Sequence, residues 1–351
     1  MNDLRDKIKK IIKKEKAKGH FWVLDTNQSV DLIQQILENY EKTNGIKQDF
    51  TNLPKKGELI FIAAPTGAGK DNLVIKLNYQ NPEKKYIELN MDIFRHYYPM
   101  FIKDKETLTD KTFATKTNEF SYEIYITVQE MLLQEFPGTN IIITGTLRET
   151  GWVERVLRRF KEDKKTDYDV KMVCLAVPKK ESALSVIKRY ISIVDNQKEK
   201  EDFYPGTARY TSLSYHDETF EKFPKNLAYF QKKFTEKPGK LIDIMEVYRR
   251  SKDVEDLDED TRVYSSQSEQ SGRTTLDAVE ELRKKPYEIS YNEGIAILKK
   301  IAENVDYLKS QGTLKDVMRD SAVLLNYPNI VEKIDQFTGS EVEHDFNEKI
   351  I

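Results

Sequence analysis

Gly67, Gly69 and Lys70 close the stretch Glu58-Leu-Ile-Phe-Ile-Ala-Ala-Pro-Thr-Gly-Ala-Gly-Lys-Asp-Asn-Leu73, and their spacing is suited to holding phosphate. Glycine lets main-chain N–H groups approach an anion closely. Lys70 adds a cation where a helix start already favours negative charge through its unpaired N–H groups and dipole. The apolar run Leu59 to Ala64 is too short for a helix and rich in β-formers, so it reads as a buried strand. Strand, phosphate loop and helix start together imply nucleoside triphosphate binding by Pro65, Thr66, Gly67, Ala68, Gly69, Lys70 and Asp71. Against the pattern G-x-x-x-x-G-K-[ST], Ala64 replaces the first glycine and Asp71 the closing hydroxyl residue. An ordinary strand-turn-helix carrying a lysine is the alternative.

Further polar residues fall where strands end, which is where open α/β sheets bind ligands. Asp92 follows the short strand Lys85 to Leu89 and reads either as a base or metal contact, or as a helix cap. Thr144, Thr146 and Arg148 follow a strand over Asn140 to Thr144. Arg189 lies on a helix from about Ser182 to Val194, and Arg209 lies beyond a charged segment over 195–206. That helix and segment form either a lid closing over phosphates or a solvated surface.

The elements that must position these residues follow from periodicity. Helices are expected over 1–19, 27–40, 106–135 (one helix or two) and 212–235, and a helical pattern runs through 275–351. Further strands are expected over 170–177 and 240–248, with 261–264 pairing as an antiparallel hairpin edge on a mostly parallel sheet. With 351 residues, 38% of them apolar and 33% charged, the chain has enough material for a substantial core. A net charge of -2 leaves no electrostatic footprint for nucleic acid, and the lysine-rich start reads as a solvated helix face rather than a nucleic-acid arm. The lone cysteine, Cys174, reads as buried packing in a reducing compartment. The N-terminus lacks a signal-peptide core and no apolar run reaches membrane-spanning length. A cytoplasmic protein without a membrane or nucleic-acid partner is expected.

In their order these stations resemble the zeta toxin family of bacterial small-molecule kinases over about residues 58–300. The motifs are Ala-Pro-Thr-Gly-Ala-Gly-Lys at 64–70, Asn-Met-Asp-Ile-Phe at 90–94 with Pro99, Ile-Thr-Gly-Thr-Leu-Arg at 143–148 and Cys-Leu-Ala-Val-Pro at 174–178. Lys-Arg-Tyr at 188–190, Thr-Ala-Arg at 207–209, His-Asp at 216–217 and Val-Tyr-Ser-Ser at 263–266 complete the series. The resemblance implies a P-loop kinase-type α/β fold that moves the γ-phosphoryl group of ATP or GTP to a UDP-sugar such as UDP-N-acetylglucosamine. It also implies Mg²⁺, an effect on cell-wall precursor synthesis and a helical antitoxin partner. By the same resemblance Lys70 contacts the terminal phosphates and Asp92 is the base. Arg189 and Arg209 neutralise the transferred group, and Thr144, Thr146 and Arg148 lie beside the nucleotide-sugar.

Two positions depart from that pattern. Asp71, where the family carries Ser or Thr, is either a direct metal ligand or a sign of altered nucleotide binding. Thr144 replaces a sugar-binding glutamate, which opens the alternative that the acceptor is another small metabolite; a second family glutamate would be Glu123 or Glu130. A non-catalytic nucleotide-binding module is the reading from a different class. The expected organisation is a helical extension over 1–57, which could act in cis or mark a partner site, a kinase domain over 58–305 and a helical tail over 306–351.

Overall fold

A computed structural model describes residues 2–18, 24–42, 53–98, 108–162, 168–197, 208–251, 256–268 and 272–326. Pro99, Thr207, the charged segment after Gln197 and the end of the tail lie outside the described residues.

The strands are β1 (Gly57–Ala63), β2 (Ile87–Leu89), β3 (Ile141–Gly145), β4 (Tyr168–Ala176), β5 (Ile244–Arg249) and β6 (Arg262–Ser265). They form one sheet in the order β2-β3-β1-β4-β5-β6. All neighbours run parallel except β5 and β6, which pair antiparallel with an irregularity between Val247 and Tyr248. The continuous apolar runs are explained by burial on both faces. Leu59, Phe61 and Ala63 join one cluster while Ile60, Ile62 and Ala64 join another on the opposite face.

The helices are α1 (Asn2–Lys16), α2 (Thr26–Lys42), α3 (Lys70–Gln80), α4 (Met91–Arg95), α5 (Phe113–Lys116), α6 (Asn118–Glu135) and α7 (Thr150–Lys161). They continue as α8 (Lys179–Gln197), α9 (Leu213–Glu236), α10 (Thr275–Arg283), α11 (Tyr291–Glu303), α12 (Val305–Ser310) and α13 (Leu314–Leu325). Leu73, Val74 and Leu77 of α3 cover one sheet face. The other is covered by a larger cluster that includes Phe120, Ile124 and Val128 of α6. Ile8, Ile11 and Ile12 of α1 and Ile33 and Ile36 of α2 belong to that same cluster, while Lys9, Lys10, Lys13 and Lys14 face solvent. A third cluster joins α8 to α11, α12 and α13.

Three boundaries differ from the sequence reading, each through side-chain hydrogen bonds. The second strand starts at Ile87 because Tyr86 N–H is taken by the Asn78 side chain and the Lys84 carbonyl by Asn140. The strand expected from Lys240 starts at Ile244, after a turn at Gly239 (φ +75°) and with Asp243 accepting from Val170 N–H. Over 106–135, read as one helix or two, there are two and the first starts only at Phe113; they meet at Thr117, where Arg95 binds the Ala114 carbonyl and the Thr117 hydroxyl.

Because α1 shares the main core, Ile12→Ala should lower global unfolding stability by about 2–5 kcal/mol. Urea unfolding followed by fluorescence and by far-UV circular dichroism should show one coincident transition, with no separate loss of an N-terminal unit.

Candidate active site

The chain leaves β1 for α3 and β2, returns through β3, and then passes to β4 on the far side of β1. Reversing direction beside β1 leaves the carboxyl ends of β1, β2 and β3 bordering a crevice. A cleft of about 1030 Å³ opens there, lined in part by Thr66, Lys70, Asp71, Asp92, Thr144, Thr146, Arg148, Arg189 and Arg209. Residues scattered over more than 140 positions of sequence therefore meet at one edge of the sheet.

The loop begins where Ala64 N–H donates to the Gly145 carbonyl at 3.1 Å. Ala64 does not take a left-handed backbone, so its methyl group causes no strain at the position of the pattern's first glycine. Gly67 (φ +79°) is different: a Cβ there would lie 2.1 Å from the Ser182 carbonyl of α8. Gly69 (φ +94°) precedes α3 and provides no side-chain cap, so the first N–H groups of this helix remain available to an anion. Ala68 is buried, and Pro65 accepts from its N–H. Lys70 Nζ curls over the loop to the Ala64 and Pro65 carbonyls at 3.4 and 3.3 Å. Burial brings its pKa down to about 8; Asp71 and Asp92 oppose the shift, and Arg189 and Arg209 add to it.

The loop is braced from outside by residues that periodicity does not mark. Ser182 Oγ and the buried His216 Nε2 lie 2.8 Å apart, linking the starts of α8 and α9, and Thr219 Oγ1 donates to Thr66 Oγ1 at 3.5 Å.

Asp92 is not a helix cap. Asn90 caps α4, accepting from Asp92 N–H at 2.9 Å, which leaves the Asp92 carboxylate for charged partners. Its Oδ1 accepts from Arg209 Nη1 at 2.6 Å and from Arg95 Nε at 2.9 Å. Burial works against ionisation, yet Arg209 and Arg95 outweigh it and hold the carboxyl below the usual carboxylate range. With 57% of the side chain exposed, the arginines rather than desolvation govern its charge. Arg95 is buried, its Nη1 donating to Ala114 and Thr117 and its Nη2 to Asn118. It fixes Asp92 to α5 and α6, a role hidden in the sequence because its partners lie 19 to 23 residues away. Arg189 is exposed on α8, and its charge reaches both Lys70 and Asp92.

Beyond β3 the backbone is held by α9: Asn226 Nδ2 donates to the Leu147 and Arg148 carbonyls, each at 2.8 Å, and Leu147 takes a left-handed φ of +53°. The Arg148 guanidinium lies 5.1 Å from the Tyr215 ring centre and donates to Glu218 at 3.2 Å. Tyr122, Tyr125, Trp152 and Arg155 complete this side of the cleft. Neither Glu123 nor Glu130 lines it; Glu130 is held by Arg159 through two hydrogen bonds. Glu88, the middle residue of β2, does line it. Its ordinary-looking place in a short strand concealed it.

Mg²⁺ takes oxygen ligands and is commonly held by one or two carboxylates plus substrate phosphates. Asp71 and Glu88 supply that donor chemistry beside the loop. Burial raises the Glu88 carboxyl above its ordinary value; a hydrogen bond from Asn90 opposes this and the Asp71 charge adds to it. Among the described residues, no group of three or more His, Cys, Asp or Glu is arranged for a metal. On the other flank of the loop, Arg250 stands 3.7 Å from where a Gly69 Cβ would be. It borders a second cavity of about 540 Å³ that also includes Glu181, Ser185 and Tyr287.

A five-stranded parallel core with a glycine-lysine loop at its carboxyl edge defines a P-loop protein of kinase-like fold. The chain belongs to the zeta toxin family, whose model matches residues 42–269. A solved structure from the PezAT chromosomal toxin–antitoxin system of the human pathogen Streptococcus pneumoniae is 17% identical, with a TM-score of 0.54 over 81% of this chain and 98% of that one. The AvrRxo1-ORF1:-ORF2 complex is 13% identical, with a TM-score of 0.51 over 84% of this chain and 88% of that one. The same complex with ATP gives 12% identity and a TM-score of 0.50 over 84% and 89%. A search of curated proteins returned no match. At these identities the structural likenesses describe the fold.

With its pKa lowered to about 8, Lys70 is cationic below that pH and loses its proton as pH rises through it. Affinity for inorganic tripolyphosphate should therefore weaken above about pH 8, by at most about tenfold per pH unit for one proton. Calorimetric titration from about pH 6 to about pH 10 checks this, and Lys70→Arg should flatten the slope.

Proposed function

We propose that the chain is a Mg²⁺-dependent kinase that transfers the γ-phosphoryl group of ATP or GTP to a hydroxyl of a nucleotide-sugar of the UDP-N-acetylglucosamine type. The observation that carries this reading is the Asp92–Arg209 pair, which stands in one cleft with Lys70 and Arg189. A base for the acceptor thus lies among cations suited to a charge-dispersed phosphoryl group.

In the transfer, the acceptor oxygen forms a bond to the γ-phosphorus while the bond to the β,γ-bridging oxygen breaks. The hydroxyl proton passes to Asp92, whose Oδ1 is engaged by both arginines, leaving Oδ2 to face the acceptor. Lys70, Arg189 and Arg209 offset the charge on the phosphoryl oxygens, and the N–H groups at the head of α3 orient the donor phosphates. Asp71 and Glu88 would hold Mg²⁺, which when bound supplies further neutralisation of phosphate charge. The cavity beside Arg250 and Tyr287 is placed to take the donor's nucleoside. Thr144, Thr146, Arg148 and the aromatic wall take the acceptor.

A neighbour of the same fold binds ATP, which supports the choice of donor. Thr144, which offers a neutral hydroxyl where a carboxylate would bind sugar, favours a second reading in which the acceptor is another nucleotide or dinucleotide such as NAD. Neighbours from a toxin–antitoxin system and a two-protein complex support a helical antitoxin as partner. No described helix is long and apolar enough to cross a membrane, and we place the action in the cytoplasm, poisoning cell-wall precursor synthesis. In this reading the kinase unit spans 58–305, flanked by segments over 1–57 and 306–351 whose described parts are mainly helical. Asn39 of α2 donates to the Tyr97 hydroxyl at 3.5 Å, bringing the N-terminal segment to the cleft rim.

Incubation with ATP, Mg²⁺ and a panel of UDP-sugars, NAD and other small hydroxyl compounds should give one phosphorylated product by mass spectrometry. Asp92→Asn should reduce kcat by about 10²- to 10⁴-fold. A panel without product, or full turnover in Asp92→Asn and Lys70→Ala, would overturn the reading. Asp71→Ala should weaken Mg²⁺-dependent nucleotide binding about tenfold or more while leaving metal-free binding intact; unchanged Mg²⁺ dependence would remove Asp71 as a ligand.

A further inference from the structure

Arg209 belongs to a segment with no regular structure of its own, so something else must hold it against Asp92. The residues on either side are tied to one buried turn. Asp110, 1% exposed, accepts from Ala208 N–H at 2.9 Å through Oδ1, and its own carbonyl accepts from Tyr210 N–H at 3.3 Å. Its Oδ2 accepts from the Tyr190 hydroxyl at 2.7 Å, and Tyr190 is the residue after Arg189 on α8. One carboxylate thus fastens the backbone beside Arg209 and the tyrosine beside Arg189.

The C-terminal helices close the clamp from behind. Gln311 accepts from Asp110 N–H at 3.2 Å, and Thr313 meets the Tyr190 hydroxyl at 2.9 Å. Asp320 of α13 accepts from the Tyr210 hydroxyl at 2.5 Å and from Leu213 N–H at 2.7 Å. The Asp110 turn also leads directly into α5, whose Ala114 carbonyl receives Arg95, the strut of Asp92.

We infer that Asp110, completed by Asp320 and the α12–α13 helices, is a positioning residue that sets Arg209 against Asp92. Base and cations then share one frame, which the helices following the 58–305 unit brace from behind. Burial pushes the Asp110 carboxyl up to about 6, so a carboxylate here is maintained at a cost that an apolar side chain would avoid. An apolar side chain would leave Ala208 N–H without its acceptor.

The inference rests on Arg209 acting at the transferred group, and the test separates the two ideas. With the full chain, ATP and UDP-N-acetylglucosamine, Asp110→Ser should lower kcat by about tenfold to a hundredfold through misplacement of Arg209, with KM for ATP changed less than about threefold. In an Arg209→Ala background the same substitution should change kcat by less than about twofold, because the clamp works through that side chain. Hydrogen exchange at the Ala208, Tyr210 and Leu213 amides should speed up in Asp110→Ser while the sheet amides stay protected. Multiplicative losses in the double variant, or unchanged exchange at Ala208, would overturn the inference. If Asp110→Ser does not fold, Tyr190→Phe removes a single bond of the clamp and should show the same non-additivity with a smaller loss. If wild-type protein phosphorylates nothing, the functional reading fails, and exchange at Ala208 still decides whether Asp110 holds the segment.

Discussion

Lys70, Arg189 and Arg209 stand close enough for the two arginine charges to lower the lysine's proton affinity. Gathering like charges at one point is unfavourable unless an anion answers them. In the protein as it stands the answer comes from Asp92, which accepts from Arg209 and Arg95, with Asp71 contributing at the loop. The remaining architecture follows from that constraint. The cleft is assembled around a charge balance that leaves room for a polyanion, with Asp92 held by Arg95 and Arg209.

The rigid parts are the sheet edge and the helices that press on the loop. Gly67 has no room for a side chain because α8 approaches to contact, and α9 anchors both Thr66 and the backbone after β3. Main-chain donors at the head of α3 are therefore presented on a braced loop. Preorganised donors of this kind act on charge without reorganising when it develops.

The departures from the phosphate-loop pattern have different physical meanings. Ala64 continues the strand's hydrogen bonding to Gly145 without left-handed backbone, so the missing glycine is structurally neutral. Asp71 is not neutral, because it brings a second carboxylate beside Glu88 and changes the charge at the head of α3. Thr144 lies on the side of the cleft where Trp152, Tyr125 and Arg155 supply surfaces suited to a ring and an anion.

The amino-acid sequence by itself determined the strands, the turn at Gly67 and Gly69, the antiparallel edge, and the fact that polar residues follow β1, β2 and β3. These are consequences of local patterning: short apolar runs rich in β-branched residues favour strands, and glycine marks backbone that other residues avoid. Tertiary structure alone decided that Arg95 supports Asp92, that Glu88 faces the cleft, and that helix α6 begins at Asn118. It also decided that Asp110 reaches Ala208 across 98 residues and that α13 reaches Leu213 across 107. Such bonds join side chains and backbone groups whose separation along the chain carries no periodic signal. Their partners become neighbours only once the sheet order has been set and its two faces are covered.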